Sequence, residues 1–215
     1  MSEGSARRAS LPRRRDEAKA LFRNAILEAA EHVFAQQGFH GARIQDIAEH
    51  ARIAVGTVYN HFEQKEDVLR ALLEERMEGL IDQLAPLPSE PERFEDKLQA
   101  RVTRMLRYVE KHRNFYVLAL EHGLFAKGSV SAGNALCRPV HHIERFRATL
   151  GELVEEGIAS GALRPMEPSR IMWFFGGLMR TFALGSLDKG ATDLVAEAPF
   201  IVDLFLNGVG ARTST

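Results

Sequence analysis

Residues 52 to 69 read RIAVGTVYNHFEQKEDVL and place Gly, Thr, Tyr, Asn, His and Lys side by side among few apolar residues. If residues 54 to 60 form a short helix, Ile53, Val58 and Phe62 can anchor that helix to its neighbours. The other side chains then remain largely outside a hydrophobic core. A helix that commits so few residues to packing is suited to contacting another molecule.

The residues upstream supply two helices that can support this stretch. Apolar spacing of i, i+4, i+7 and i+8 predicts a first helix with the buried face Ile26, Ala30, Val33 and Phe34. Gly38 can end this helix, and Phe39 can fold back onto it. A second, shorter apolar face consists of Ile44, Ile47, Ala48 and Ala51. Two short helices joined by a tight turn, after a supporting helix, form a helix-turn-helix unit.

The polar groups of the third helix are those that DNA recognition uses. Gly56 permits close backbone approach, and Thr57 offers a hydroxyl and a methyl group. Tyr59, His61 and Lys65 can donate hydrogen bonds to phosphate oxygens. Because the major groove presents donors, acceptors and thymine methyl groups, this set suits reading bases and holding the phosphate rim.

The longer stretch GFHGARIQDIAEHARIAVGTVYNHFEQKEDVL, residues 38 to 69, resembles the DNA-binding signature of the TetR family of bacterial transcriptional regulators. The resemblance lies in the glycine-aromatic close of the first helix, in DIA, and in GTVYNHF followed by KE. It implies that Val55 and Thr57 face bases and that Tyr59, His61 and Lys65 hold phosphates. The predicted DNA-binding residues are Arg43, Val55, Gly56, Thr57, Tyr59, Asn60, His61 and Lys65.

Three positions depart from the family pattern. Arg43 stands where Ser or Thr is frequent, so a helix cap worth ~1 kcal/mol is missing, although Arg43 can reach a phosphate instead. Ala54 stands where Ser is common, and Arg52 stands where Gly is common. These changes leave the fold prediction intact, but the operator sequence cannot be forecast from them.

The rest of the chain is predicted to be helical. Residues 65 to 84 have one apolar face, and PLPSEP ends the run; the face consists of Val68, Leu69, Leu72, Leu73, Leu80, Ile81 and Leu84. This helix starts beside the predicted DNA contacts and is the natural mechanical link to the remainder. Further helices are predicted near residues 91 to 111, 113 to 126, 138 to 160, 168 to 187 and 194 to 209.

We therefore predict an all-α protein with an N-terminal three-helix DNA-binding domain and a larger helical domain for effector binding and dimerisation. The predicted segments are a flexible basic arm over residues 1 to 16, the helix-turn-helix domain over 17 to 65, and the effector domain over 66 to 215. Residues 1 to 23 contain seven Arg or Lys residues against three acidic ones. Such a basic segment is predicted to neutralise DNA phosphates.

Composition narrows the functional classes. With 215 residues, 45% of them hydrophobic, the chain suits a soluble globular protein. A membrane helix needs about 18 apolar residues in a row, and neither such a run nor a signal peptide is recognisable, so we expect a cytoplasmic protein without a membrane partner. Cys137 is the only cysteine, which excludes an intrachain disulfide.

The resemblance implies that the C-terminal region binds a small molecule and dimerises. An apolar cavity between helices needs a few polar or amphipathic positions, and the candidates are Tyr108, His112, His122 and Trp173. The effector is therefore predicted to be small and hydrophobic. Two nearly all-apolar helices are predicted to pair across a two-fold axis, through Ile171, Phe174, Phe175, Leu178, Ile201, Val202, Leu204 and Phe205.

The predicted function is a homodimeric, ligand-responsive transcriptional repressor of a palindromic operator. No catalytic constellation, phosphate-binding glycine loop or metal-ligand spacing is recognisable, so neither an enzyme nor a cofactor or metal site is predicted. Two alternatives remain open. A DNA-binding protein without effector predicts no cavity between the C-terminal helices. A helical small-molecule-binding protein or enzyme with vestigial DNA binding predicts no sequence-selective DNA binding.

Overall fold

The computed structural model describes residues 10–121, 140–188 and 193–208, and these residues form helices and turns without a strand. The predicted all-α class is confirmed. None of the helices in these ranges is both long and apolar enough to cross a membrane. The α-helices are, in chain order, α1 (Ser10–Gly41), α2 (Ile44–His50), α3 (Val55–Tyr59), α4 (Lys65–Leu84), α5 (Phe94–Lys111), α6 (Arg113–Glu121), α7 (Val140–Ala159), α8 (Pro168–Asp188) and α9 (Ala198–Asn207).

The described residues group into two compact units. The first unit holds residues 10–73 and 117–121, and the second holds residues 74–116, 140–188 and 193–208. The division falls inside α4, which is one continuous helix. The two halves of α4 therefore belong to different units.

Helix α1 begins at Ser10, within the stretch predicted to be a flexible arm. Residues 10 to 16 of that stretch are helical, residues 1 to 9 lie outside the described ranges, and the boundary of the arm stays a prediction. Leu, Arg, Ala, Glu and Lys dominate the start of α1, and these residues have high helix propensity. Because a packed helix already exists downstream, adding residues to it requires no new nucleation.

The other end of α1 follows the sequence prediction. Gly38 interrupts the helix with φ 69° and ψ 159°. The Phe39 ring then packs edge-on against Phe34, with 5.5 Å between ring centroids. The chain thus turns at the predicted glycine, and Phe39 closes the end of the helix.

The core of the first unit consists of the apolar faces predicted from spacing. Its buried side chains include Ile26, Ala30, Val33 and Phe34 of α1, Ile44, Ile47 and Ala48 of α2, Val58 of α3, Phe62, and Val68, Leu69, Leu72 and Leu73 of α4. Helix α2 packs against both α1 and α3. Burial of such side chains contributes about 1.5 to 3 kcal/mol each, which fixes the orientation of α3.

The turn between α2 and α3 is closed by two backbone hydrogen bonds. The Ile53 N–H donates to the Ala48 carbonyl and the Arg52 N–H donates to the Glu49 carbonyl, both at 3.0 Å. This is the Schellman pattern, in which the residue after the helix cap takes a left-handed conformation. Arg52 occupies that position with φ 56°. A residue with a Cβ costs about 1 to 2 kcal/mol in this conformation. The glycine that is common at this position in the TetR family would therefore be less strained than Arg52.

The second unit is a helical bundle around its own apolar core. Helix α5 packs against α9, α7 packs against α8, and α8 packs against α9. A Cβ on Gly157 of α7 would overlap Phe94 of α5, so glycine lets these side chains meet. The large buried residues include Leu84, Leu98, Phe115 and Phe175.

A buried ion cluster holds the C-terminal end of α4. Arg101 and Arg104 donate to the Glu90 carboxylate at 2.7 and 3.1 Å, and the Glu90 side chain is 8% exposed. Arg104 also donates to the carbonyls of Gln83 and Ala85 at 2.9 and 2.8 Å. The last carbonyls of a helix lack partners within the helix, so Arg104 caps α4 while it pairs with Glu90.

The cluster sets the protonation of Glu90. Burial alone raises the pKa of this carboxyl group, but hydrogen bonds and positive charge from Arg101 and Arg104 outweigh burial and lower the pKa below 4.5. Glu90 is therefore ionised at neutral pH and compensates two guanidinium groups that are largely removed from water.

Candidate nucleic-acid interface

Helix α3 leaves most of its surface to solvent. Val58 is its one fully buried residue. Tyr59 is 51% exposed, and a Cβ built on Gly56 meets no atom within 4 Å. The helix is thus anchored on one side and open on the others, as a helix that contacts another molecule must be.

The predicted DNA-binding residues other than Lys65 come from two elements and the turn after α3. Among them, Arg43, Gly56, Tyr59 and Asn60 are exposed, and Val55, Thr57 and His61 are half-buried. All seven belong to the first unit. Their contact with DNA remains a prediction, but no predicted member of this group is buried in the core.

Arg43 caps α2 through its backbone rather than its side chain. Its N–H donates to Asp46 Oδ2 at 3.0 Å, which supplies one half of a capping box. The Ser or Thr cap is therefore replaced in part by Asp46. The Arg43 side chain remains at the exposed start of α2.

His61 lies near positive charge from α1. Burial first, and then the charges of Lys19 and Arg23, lower the pKa of its imidazole below 6.5. The ring is neutral at pH 7 and retains one N–H donor. Sequence reasoning did not assign Lys19 or Arg23 to the site individually, although their i, i+4 spacing places both on one face of α1.

The Lys65 side chain does not point where the sequence prediction placed it, which was toward a DNA phosphate. Its ammonium donates to the carbonyls of Phe39, His40 and Ala42 at 2.7, 3.3 and 2.9 Å. The same nitrogen lies 4.6 Å from the centroid of the Phe39 ring. A lysine ammonium has three protons, so these carbonyls use its donor capacity. In this structure Lys65 joins α4 to the end of α1 rather than reaching outward for a phosphate.

Replacing Lys65 with Met should therefore destabilise the protein by about 2 kcal/mol, because charge-assisted hydrogen bonds to the α1 carbonyls are lost. Urea unfolding measures this loss, with Lys111→Met at the exposed last residue of α5 as the matched control. The salt dependence of DNA binding should stay unchanged. An unaltered unfolding midpoint together with a salt slope reduced by about one contact per protomer, or two per dimer, would restore the phosphate role.

The described residues among those predicted to bind the effector differ in their surroundings. Tyr108 and His112 lie together on α5 and its C-terminal cap, with 4.5 Å between ring centroids. A Cβ on Gly79 would overlap the Tyr108 hydroxyl, so this ring lies directly on the α4 backbone. His122 lies outside the described residues. Within those residues no three His, Cys, Asp or Glu side chains gather around a possible metal position.

Trp173 does not have the surroundings of a pocket residue. Its side chain is 60% exposed, next to Phe174 at 54%, and Phe200 of α9 is 55% exposed. The Phe174 ring stacks on Phe205 at 5.9 Å. Trp173 is therefore a surface residue in this structure, and its role in effector binding stays a prediction. Because the tryptophan ring is amphipathic, its presence in the sequence did not distinguish a residue that lines a cavity from one at the surface.

The residues predicted for dimerisation divide into two groups. Ile171, Phe175, Ile201 and Val202 are buried in the core of the second unit. Leu178, Leu204 and Phe205 are half-buried, and Phe174 is exposed. Phe174, together with Trp173 and Phe200, which are also exposed but were not predicted for dimerisation, defines what we name the aromatic face of α8 and α9. Large exposed aromatic side chains on two helices that pack together favour an interaction surface.

Comparison with known proteins agrees with this architecture. Residues 26–72 match the family described as bacterial regulatory proteins, tetR family. The chain is 27% identical over 193 residues to the fatty acid metabolism regulator protein of Bacillus subtilis, covering 86% of this chain and 93% of that protein.

Two solved structures share the fold. The fatty acid degradation regulator FadR from Bacillus halodurans has a TM-score of 0.75 at 25% identity, covering 89% of this chain and 97% of that chain. FadR from Bacillus subtilis in complex with stearoyl-CoA has a TM-score of 0.71 at 21% identity, with 86% and 98% covered. The family match covers residues 26–72, the helix-turn-helix segment, and the described residues share the helical fold of these two regulators, so the chain resembles the TetR family of bacterial transcriptional regulators.

Proposed function

We propose that this protein is a homodimeric repressor that binds a palindromic operator and is released by a hydrophobic effector of the long-chain acyl-CoA class. The observation that carries the DNA-binding part is the exposure of α3, which buries Val58 and presents Gly56 and Tyr59. In this proposal Val55 and Thr57 face bases. The DNA backbone on either side of those bases is held by Arg43, Tyr59, Asn60 and His61.

A two-fold dimer supplies two copies of α3 for two half-sites. For successive major grooves on one face of B-DNA these helices must lie about 34 to 36 Å apart, or near a multiple of that distance. The aromatic face of α8 and α9 is the surface that supports pairing of the two protomers. The operator is then a palindrome because the protein dimer is itself symmetric.

The effector class is inferred from two similarities to known proteins. A relative that aligns with 86% of this chain is named for fatty acid metabolism, and a solved structure of the same fold holds stearoyl-CoA. The second unit of this chain has an apolar interior, and Tyr108 and His112 contribute amphipathic groups beside α4. An acyl chain suits such an interior.

Helix α4 is the proposed link between effector and DNA. It is continuous from Lys65 to Leu84, and its halves belong to different units. Its first half supports the DNA-binding unit through Lys65, Val68 and Leu69. An effector that prefers a different position of α4 shifts the spacing of the two recognition helices. The coupling equals its difference in affinity for the two states, typically ~1 to 3 kcal/mol.

Selection of binding sites from random duplexes tests the DNA-binding function. We expect a palindromic consensus, and Tyr59→Ala should weaken binding by roughly tenfold because a phosphate contact and its support are lost. Tyr59→Phe keeps the ring and isolates the contribution of the hydroxyl group. Recovery of no preferred sequence, or wild-type affinity in both variants, would contradict the proposed role of α3.

The same operator complex is then titrated with stearoyl-CoA, stearate and free CoA. Only stearoyl-CoA should release DNA, and operator should weaken stearoyl-CoA binding by the same factor, since the linkage is reciprocal. Release by stearate alone would assign the effector to free fatty acids. Tight binding with equal affinity in the presence and absence of operator would exclude control through α4.

A further inference from the structure

Two acidic residues on the second half of α4 are unfavourable for the helix itself. Glu78 and Asp82 are both exposed and lie at positions i and i+4, where like charges on one face repel each other. Asp82 also lies in the last turn, where the helix dipole disfavours a negative charge, and that turn contains no basic residue. A contact outside α4 therefore explains the two carboxylates better than the helix does.

That contact comes from Arg145 of α7. Its Nη1 donates to Glu78 Oε1 at 2.7 Å, and its Nη2 lies 3.7 Å from Asp82 Oδ1. One guanidinium group thus compensates two carboxylates that would otherwise repel each other. The side chains of Arg145, Glu78 and Asp82 are 39%, 54% and 60% exposed, and exposed ion pairs contribute little to folding stability. We name these three residues the Arg145 clamp.

The Arg145 clamp connects α4 to the rest of the second unit. Among the described α-helices of this unit, the backbones that pack most closely are those of α5 with α9, α7 with α8 and α8 with α9. Side chains instead hold the second half of α4, since Arg104 of α5 caps its end and Arg145 contacts it from α7. Because α7 packs against α8, the clamp joins α4 to a helix that carries part of the aromatic face.

The Arg145 clamp opposes the insertion of an effector. Protein interiors are close-packed, so a ligand that enters the apolar interior of the second unit has to move helices apart. The clamp draws α4 and α7 together, and its ion pairs must be stretched or broken when these helices separate. A ligand shifts a conformational equilibrium only by its difference in affinity for the two states. The clamp therefore favours the state that the effector does not prefer.

We propose that Arg145 is a positioning residue for DNA release, which holds the second half of α4 against α7 in the operator-binding state and separates from α4 when the effector enters. The proposal rests on the proposed function and deepens it by naming a contact that sets the effector concentration needed for release. Arg145 acts through α4 and contacts neither DNA nor effector. Loss of the clamp lowers that concentration, because less free energy opposes the movement of α4.

The test is the stearoyl-CoA concentration that releases half of the bound operator. Arg145→Gln should lower this concentration by about three- to tenfold, since each of the two protomers loses an ion pair of modest strength. Arg145→Lys keeps the charge and should restore most of the wild-type response. The matched control is Arg147→Gln, which changes an exposed arginine two residues away on α7 and should respond as wild type does.

Exchanging the charges gives a second measurement, which a merely structural role would not change. Arg145→Glu and Glu78→Arg should each lower the half-release concentration, whereas the double variant pairs the exchanged charges again and should recover most of the wild-type value. This recovery is the non-additive part of a double-mutant cycle. The urea midpoint of Arg145→Gln should stay close to that of wild type, because the clamp is exposed.

The proposed function and the clamp fail in different ways. A wild-type protein that selects no palindrome, or that stearoyl-CoA does not release, contradicts the proposed function itself. Release of wild type with the same half-release concentration in Arg145→Gln, or no recovery in the charge-exchanged variant, overturns only the clamp. A higher half-release concentration in Arg145→Gln also overturns it, since that result would show that Arg145 holds the phosphates of stearoyl-CoA directly.

Discussion

Replacing Glu90 with Ala is expected to destabilise the fold by about 3 to 5 kcal/mol, because removing one member of a buried ion cluster leaves its partners uncompensated. Arg101 is 6% exposed and Arg104 is 18% exposed in their side chains. Both guanidinium groups would lose the carboxylate while remaining out of water. If the Arg104 side chain moved after losing its carboxylate partner, its hydrogen bonds to the last carbonyls of α4 would be lost as well.

Urea unfolding at neutral pH measures this loss, and Glu92→Ala is the matched control. Glu92 lies on the same segment between α4 and α5 and is exposed, so its removal should change stability by less than about 0.5 kcal/mol. Equal shifts in the two variants would show that the buried cluster contributes nothing specific.

The Glu90 cluster also predicts a dependence of stability on pH. The folded pKa of Glu90 is lower than the ordinary value of 4.5, so the unfolded chain binds more protons than the folded chain between these values. The stabilising contribution is complete above about pH 4.5 and is lost as pH falls through the lowered folded pKa. Glu90→Gln should abolish this part of the acid sensitivity while retaining the side-chain shape.

Side-chain periodicity was sufficient to predict most of the hydrophobic core. The face containing Val68, Leu72 and Leu80 is buried along α4 as its spacing indicates, because one side of an amphipathic helix must face apolar neighbours. Gly38 likewise ends the regular part of α1. Local rules were enough here, since each depends on residues within a few helical turns.

Polar partners were less predictable because they depend on tertiary distance. The carbonyls bound by Lys65 lie 23 to 26 residues away in sequence, and the family resemblance alone suggested a phosphate. Glu90 and Arg101 likewise meet through the turn between α4 and α5. Composition cannot distinguish a lysine that ties two helices together from one that faces solvent.

The sequence also could not predict which aromatic residues of α8 are exposed. Trp173 and Phe175 are two residues apart on one apolar helix, but Phe175 is 1% exposed and Trp173 is 60% exposed. A helix that is apolar nearly all round has no polar side to mark which face is outermost. Packing of α8 against α9 decides which residues are buried and leaves Trp173 at the surface, where we propose that a second copy packs.

Charging the aromatic face is therefore expected to separate the dimer. Trp173→Glu/Phe200→Glu places two negative charges per protomer on side chains that are already 60% and 55% exposed, so the monomer should still fold. In a symmetric interface each change occurs twice, and burying the added carboxylates is unfavourable. Light scattering at micromolar concentration should give a monomer mass, whereas Met166→Glu, which changes another exposed apolar residue, should remain dimeric.

Loss of the dimer should reduce affinity for the palindromic operator by roughly 10²- to 10⁴-fold, because the second half-site no longer binds as an intramolecular event. Contacts of α3 are untouched, so wild type and the double variant should bind an isolated half-site with equal affinity. The comparison separates pairing from recognition within one protein. A variant that is monomeric by mass but binds the palindrome as tightly as wild type would show that operator recognition does not require the aromatic face of α8 and α9.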